Sequence, residues 1–186
     1  MKIVALFTVL LASCGHPDSD DKSARQKSNA EILSESRKTW DERKPELYSY
    51  TVWRTYGSDW DHPKDPGNWS TIVVVKDNQV ICRAFKQTGN LNREYIEKGD
   101  AIGSHEFGFQ ALTLDDLYSR CADLIESKPS DLMFYLDENK LIKSCFTWLT
   151  TEQQNKVRQG IDHSILIQDI YPDVNLCDSL PPNQVL

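Results

Sequence analysis

No stretch of these 186 residues carries the run of about 20 apolar side chains that a membrane-crossing helix needs. No Cys-x-x-Cys pair occurs, which removes the spacing of a zinc knuckle or a thioredoxin-like site. Neither His-Glu-x-x-His nor Gly-x-Ser-x-Gly is present, so two common hydrolase signatures are missing. Basic charge is also short: 21 Lys and Arg stand against 28 Asp and Glu, for a net −7. That balance argues against nucleic acid as a partner.

The apolar segment that does occur sits at the front. Lys2 supplies a minimal positive charge, residues 3–11 are almost all apolar, and Ala12-Ser13-Cys14 follow. Such a segment is too short to cross ~30 Å of hydrocarbon as a helix and suits a cleaved export signal. Leu11-Ala12-Ser13-Cys14 resembles the bacterial lipobox. The resemblance implies a diacylglyceryl group on the Cys14 sulfur, cleavage before Cys14 and acylation of the new amino terminus. Residues 1–13 are then a lipoprotein signal peptide, and the membrane is a partner through an N-terminal lipid anchor. One acyl chain binds a membrane marginally, whereas two or more hold it stably. The other reading of these residues is a secretory signal with an incidental thiol at Cys14. Gly15, with no Asp after the cysteine, favours the outer membrane in a cell that has two. The expected location is the cell envelope.

Removing 13 of the 186 residues leaves 173, enough for one domain with a real core. Four cysteines remain besides Cys14, namely Cys82, Cys121, Cys145 and Cys177. An even number in an exported chain points to two disulfides, each worth ~2–4 kcal/mol. Three pairings are open. In a reducing compartment the same four would be buried free thiols.

Residues 14–27 are polar and read as a flexible tether. Residues 28–186 read as a single α+β domain. Ser28 and Glu31 form a capping-box pattern for a helix that Pro45 ends, with Ala30, Leu33, Arg37 and Trp40 at helical spacing. Residues 48–56 alternate as a strand, with Tyr48, Tyr50 and Val52 on one face. Residues 70–75 and 80–85 read as strands joined at Lys76-Asp77-Asn78-Gln79, a hairpin signal. Residues 86–111 read as a long irregular connection, a kind that is often functional or mobile. Thr113 caps a second helix whose buried stripe is Leu117, Cys121, Leu124 and Ile125. Residues 131–136 and 140–149 form a second hairpin, with Ile142, Phe146 and Trp148 on one face and Leu141, Cys145 and Leu149 on the other. Residues 150–163 are polar, and 164–170 make a last strand. The expected fold is a curved antiparallel sheet of five to six strands, order α-β-β-β-α-β-β-β, with helices packed on one face.

From Tyr48 to about Ile170 the chain resembles a bacterial family of small exported lipoproteins known only as a domain of unknown function. The resemblance rests on Tyr48-Ser49-Tyr50-Thr51-Val52 and on residues 73–80. It also rests on Thr113-Leu114-Asp115-Asp116-Leu117-Tyr118 and Phe134-Tyr135-Leu136-Asp137. These are strand, turn and cap motifs. They imply a fold and an envelope location, and they carry no catalytic residues.

Three places hold candidate chemistry. Trp53, Tyr56, Trp60 and Trp69 cluster around one loop with His62, and aromatics at a loop rim suit a saccharide, a peptide or a protein surface. The alternative is that they pack the core and hold the loop down. His62 stands among Asp59, Asp61 and Asp65, but the EF-hand pattern fails and the acids suffice as turn formers, so no metal is expected. His105 beside Glu106 has the residue types for acid–base work but no visible third group. No cofactor is expected. Asn68-Trp69-Ser70 is a glycosylation sequon that a bacterial lipoprotein would not normally use. The leading expectation is a non-enzymatic binding or accessory module of the envelope. The alternatives are an exported hydrolase with a site near His105 and a protein inhibitor acting through a surface loop.

Overall fold

Alternation along three consecutive strands builds the centre of the sheet. In β1 (Leu47–Tyr56), Tyr48, Tyr50 and Val52 are fully buried on one face. They pair with Val75, Val73 and Thr71 of β2 (Gly67–Lys76). In turn Val73 and Thr71 pair with Arg83 and Phe85 of β3 (Gln79–Thr88). The β2–β3 turn has Asp77 at φ 50° and Asn78 at φ 60°, the positive pair a two-residue type I′ hairpin requires. A computed structural model describes residues 27–56, 67–89, 92–158, 161–162 and 164–180.

The α+β class and the antiparallel sheet stand, but the expected count of five to six strands is too low, and the expected order lacks the strands added between the third strand and the second helix and the third helix before the last strand. The main sheet has seven strands, adding β4 (Arg93–Lys98), β6 (Leu132–Leu136), β7 (Ile142–Thr147) and β9 (Ile165–Pro172) in the order β4-β3-β2-β1-β9-β7-β6. A short parallel pair joins β5 (Gly108–Phe109) to β8 (Ile161–Asp162). The helices are α1 (Asn29–Arg43), α2 (Leu114–Glu126) and α3 (Thr151–Arg158).

Strand β4 lies inside the connection read as irregular. Its core-facing positions are Arg93, Tyr95 and Glu97, so no apolar alternation marks it. The last strand, β9, enters the middle of the sheet between β1 and β7 and runs on through Pro172.

The second hairpin departs from simple alternation. Tyr135 pairs with Ser144 but Leu136 with Ile142, which leaves Lys143 as a bulge. The extra residue puts Ile142 and Cys145 in the same core, not on opposite faces as the plain period of two implies.

Helices α1 and α2 cover the face that carries Tyr48, Tyr50 and Val52. Both capping boxes form, at Ser28/Glu31 and at Thr113/Asp116. The buried stripe of α1 is Leu33, Ser36 and Trp40. Ser36 is there because its hydroxyl meets the Tyr118 hydroxyl at 2.8 Å. Leu124 and Ile125 of α2 are only half-buried, since the end of α2 runs along α1 beside an open groove. Asp115 ties the two helices together through Lys44, Arg37 and the Trp40 indole N–H (3.1 Å). Burial raises the Asp115 carboxyl, but the bonds from Lys44 and Trp40 outweigh it and hold it below its ordinary value.

Three buried tyrosines spend their hydroxyls on backbone. Tyr50 donates to the Leu112 carbonyl at 2.7 Å, Tyr48 accepts from the Leu114 N–H at 3.0 Å, and Tyr118 accepts from the Ile142 N–H at 3.2 Å. Satisfying both partners is what lets these large polar side chains sit in the core.

Two disulfides settle the open pairing. Cys121 in α2 bonds to Cys145 in β7, joining helix layer to sheet. Cys82 in β3 bonds to Cys177, which lays the segment 174–180 over the opposite face. There a second core forms from Ile72, Val74, Cys82, Ala84 and Cys177. Ser49 fixes the same segment, donating to the Val174 carbonyl at 2.6 Å and accepting from the Leu176 N–H at 3.1 Å.

Candidate functional site

The segment 174–180 covers one half of the second sheet face, and the other half carries exposed aromatics. Tyr135 pairs with Ser144, and Ser144 with Leu166. Val52 pairs with Ile167, so the next residues along, Trp53 and Leu166, fall on the same side. The register thus sets Trp53, Leu166, Ser144 and Tyr135 in one row across four strands, with Ser144 buried and the two aromatic ends exposed. Met133 and Phe146 pair in the adjacent row. Trp53 is 47% exposed, Tyr135 57%, and Trp148, just past the end of β7, 67%. Indole and phenol rings on a rigid sheet offer a large contact area that needs little ordering when a partner arrives.

The second candidate lies at the other end of the sheet. Glu97 takes two hydrogen bonds from Arg83, Nε to Oε2 at 2.7 Å and Nη2 to Oε1 at 2.9 Å, with both side chains buried. It also accepts the N–H of Gly103 at 2.7 Å and of His105 at 2.8 Å. His105 Nδ1 lies 2.9 Å from Glu97 Oε1, and its ring stacks on Tyr95 with centroids 4.1 Å apart. Burial raises the Glu97 carboxyl, but the bonds from Arg83, Gly103 and His105 outweigh it and hold it at about 2. Burial pushes the Tyr95 phenol up to about 12, against the opposing pull of Arg83. The Tyr95 hydroxyl donates to the Phe107 carbonyl. Glu97 therefore fastens the 99–107 turn to the sheet, and the connection read as irregular is tied at Gly103, His105 and Phe107.

His105 does gain an acid, but not a relay. Ser104 Oγ approaches the same Nδ1 at 3.2 Å that Glu97 occupies. A Ser–His–acid relay needs the hydroxyl and the carboxylate on opposite ring nitrogens.

The residues singled out from sequence separate. Trp53 is exposed on β1. Trp69 is 1% exposed and belongs to the core, tilted against Phe85 at 6.0 Å. Its parity with Thr71, Val73 and Val75 puts it on the helix side of the sheet, so it lines no binding loop. Trp60 and His62 lie outside the described residues, as does Cys14; Tyr56 is described only as the last backbone position of β1. Among the described residues no three His, Cys, Asp or Glu side chains converge on a metal position, and no helix is long and apolar enough to cross a membrane.

Sequence reasoning misses Tyr135 and Trp148 as site residues. The available signal is a strand, Leu132–Leu136, that is apolar at every position although it ends the sheet. A groove of about 810 Å³ also opens between α1 and α2, with Ala30, Leu33, Tyr118, Ala122 and Ile125 along it. Compared with known proteins, the chain matches no family model, no curated protein and no solved structure.

Proposed function

We propose that this chain is a lipid-anchored protein of the bacterial envelope that works as a non-enzymatic docking module. Its lipid sits on Cys14, and its head presents the exposed rings of Trp53 and Tyr135, with exposed Trp148 just past the end of β7, to an envelope partner. The single observation that carries the docking reading is the pair of exposed rings, Trp53 and Tyr135, that the strand register sets on one side of the sheet. The signal-like segment, the lipobox resemblance and the resemblance to small exported lipoproteins of unknown function support the location. Two disulfides suit an oxidising compartment. The shared Nδ1 contacts of Ser104 and Glu97 weigh against the hydrolase alternative near His105.

Two experiments test the reading. Cys14→Ser should release the protein from the membrane fraction, and mass spectrometry should find acyl chains on the mature amino terminus. A photo-crosslinker placed at Trp53 or Trp148 in intact cells should capture one discrete partner, and the same probe at exposed Lys38 in α1 should not. An unmodified amino terminus ends the envelope reading. Equal labelling from both positions ends the docking reading.

A further inference from the structure

The two edges of the main sheet differ sharply. One edge is β4, where Arg93, Glu94, Glu97 and Lys98 are charged. The other is β6, Leu132-Met133-Phe134-Tyr135-Leu136, which has no charge, no proline and no glycine. Only β7 pairs with it among the described residues, so its outer backbone groups face away from the sheet unpaired. Soluble proteins normally blunt such an edge with charge, proline or a bulge. Here the extra residue, Lys143, sits in the inner neighbour β7 and leaves β6 itself regular. Exposed Tyr135 lies on this same strand.

We propose that the outer edge of β6 is a strand-addition site that takes an extended, alternately apolar peptide segment with Lys or Arg at its ends. The proposal rests on the docking reading above and names the chemistry of the partner. The incoming strand completes the free N–H and C=O ladder, which supplies affinity, and its alternate side chains meet the Tyr135 and Met133 side of the sheet, which supplies selectivity.

Charge decides what the ends of the segment carry. Asp131 and Asp137 bracket β6, and Glu138 follows. Both aspartates are held in place: Asp131 Oδ2 accepts the Trp148 N–H at 3.1 Å, and Asp137 Oδ1 accepts the Leu141 N–H at 2.7 Å. A second copy paired antiparallel about Phe134 would set Asp131 against the neighbouring Asp137 at both ends. Like charges directly opposite one another destabilise a strand pair, so the edge favours a basic-ended segment over self-pairing.

The test uses the full chain in mild detergent and the peptide acetyl-Lys-Val-Thr-Val-Thr-Val-Lys-amide, followed by isothermal titration. A Glu-ended version and a version N-methylated at every Val and Thr are the controls. Saturable binding of the Lys-ended peptide is expected, at least tenfold tighter than either control. The double variant Asp131→Asn, Asp137→Asn keeps both oxygen acceptors and should weaken Lys-peptide binding about tenfold while leaving thermal unfolding unchanged. The proposal is overturned by no binding of the Lys-ended peptide, by equal binding of either control, or by an unaltered affinity in the double variant. A chain dimer that the peptide dissociates would also overturn it, by making a second copy the natural occupant. Failure here with discrete crosslinking retained at Trp53 leaves the docking reading standing, so the two claims fail separately.

Discussion

Arg83 and Glu97 meet through two parallel hydrogen bonds across β3 and β4, and both are shut away from water. Arg83 also donates to the carbonyls of Phe109 (3.1 Å) and His105 (2.6 Å), so one guanidinium serves a carboxylate and two backbone acceptors. Removing one partner from such a pair strands a buried charge. Glu97→Gln should cost about 3–5 kcal/mol in urea unfolding. The double variant Arg83→Met, Glu97→Leu should cost less than Glu97→Gln alone, because it removes both charges together.

The same carboxylate sets an acid limit. Its ordinary value is 4.5, and the folded protein holds it at about 2. A depressed carboxyl adds stability that is complete above pH ~4.5 and drains away as pH falls toward about 2. The linked contribution is on the order of 3 kcal/mol. Unfolding free energy measured from pH 6 to pH 2 should fall steeply below pH 4.5 in the wild type. The fall should be shallower in Glu97→Gln.

The disulfides should differ in weight. Cys82 and Cys177 are 95 residues apart, Cys121 and Cys145 only 24. Chain-entropy arithmetic assigns ~5 kcal/mol to the longer closure and ~3 kcal/mol to the shorter. Cys82→Ala with Cys177→Ala should therefore lower stability more than Cys121→Ala with Cys145→Ala. It should also speed amide exchange in Ile72, Val74 and Ala84, which the stapled segment covers.

Two tryptophans near the same loop should respond in opposite ways. Trp69→Ala empties a core site and should cost about 3–5 kcal/mol. Trp53→Ala removes an exposed ring and should change stability by no more than about 0.5 kcal/mol. Partner crosslinking from the intact cell should show the reverse, lost in Trp53→Ala at full stability. Thermal unfolding and crosslinking of both variants check this.

Two glycines with positive φ should differ in what they tolerate. Gly108 sits at φ +83°, and a Cβ there would come within 2.7 Å of the Phe85 ring and 2.8 Å of Thr71 Oγ1. Gly108→Ala should lower the melting temperature, whereas Gly103→Ala, with open space around it, should lower it less, since only the backbone strain remains.

Local chemistry is legible in the sequence wherever a pattern repeats over a few residues. The capping pairs Ser28/Glu31 and Thr113/Asp116, the Asp77-Asn78 turn and the buried face of β1 follow from backbone preferences that neighbours alone impose. The parity of Trp69 with Val73 and Val75 is equally plain in the sequence, though the cluster of rings around it points elsewhere. Composition and the four domain cysteines likewise bound the class by themselves.

What needed the tertiary structure was every relation between distant residues. β4 hid behind Arg93 and Glu97, and the burial of Glu97 depends on Arg83 in the neighbouring strand. The Lys143 bulge turned Ile142 toward the core against the simple period. β9 took the centre of the sheet, so β6 became an edge although the run 132–136 is apolar throughout. Sequence determines which local shapes are cheap. Which of them meet is a competition among long-range pairings, and only the assembled sheet decides which strand is left without a neighbour.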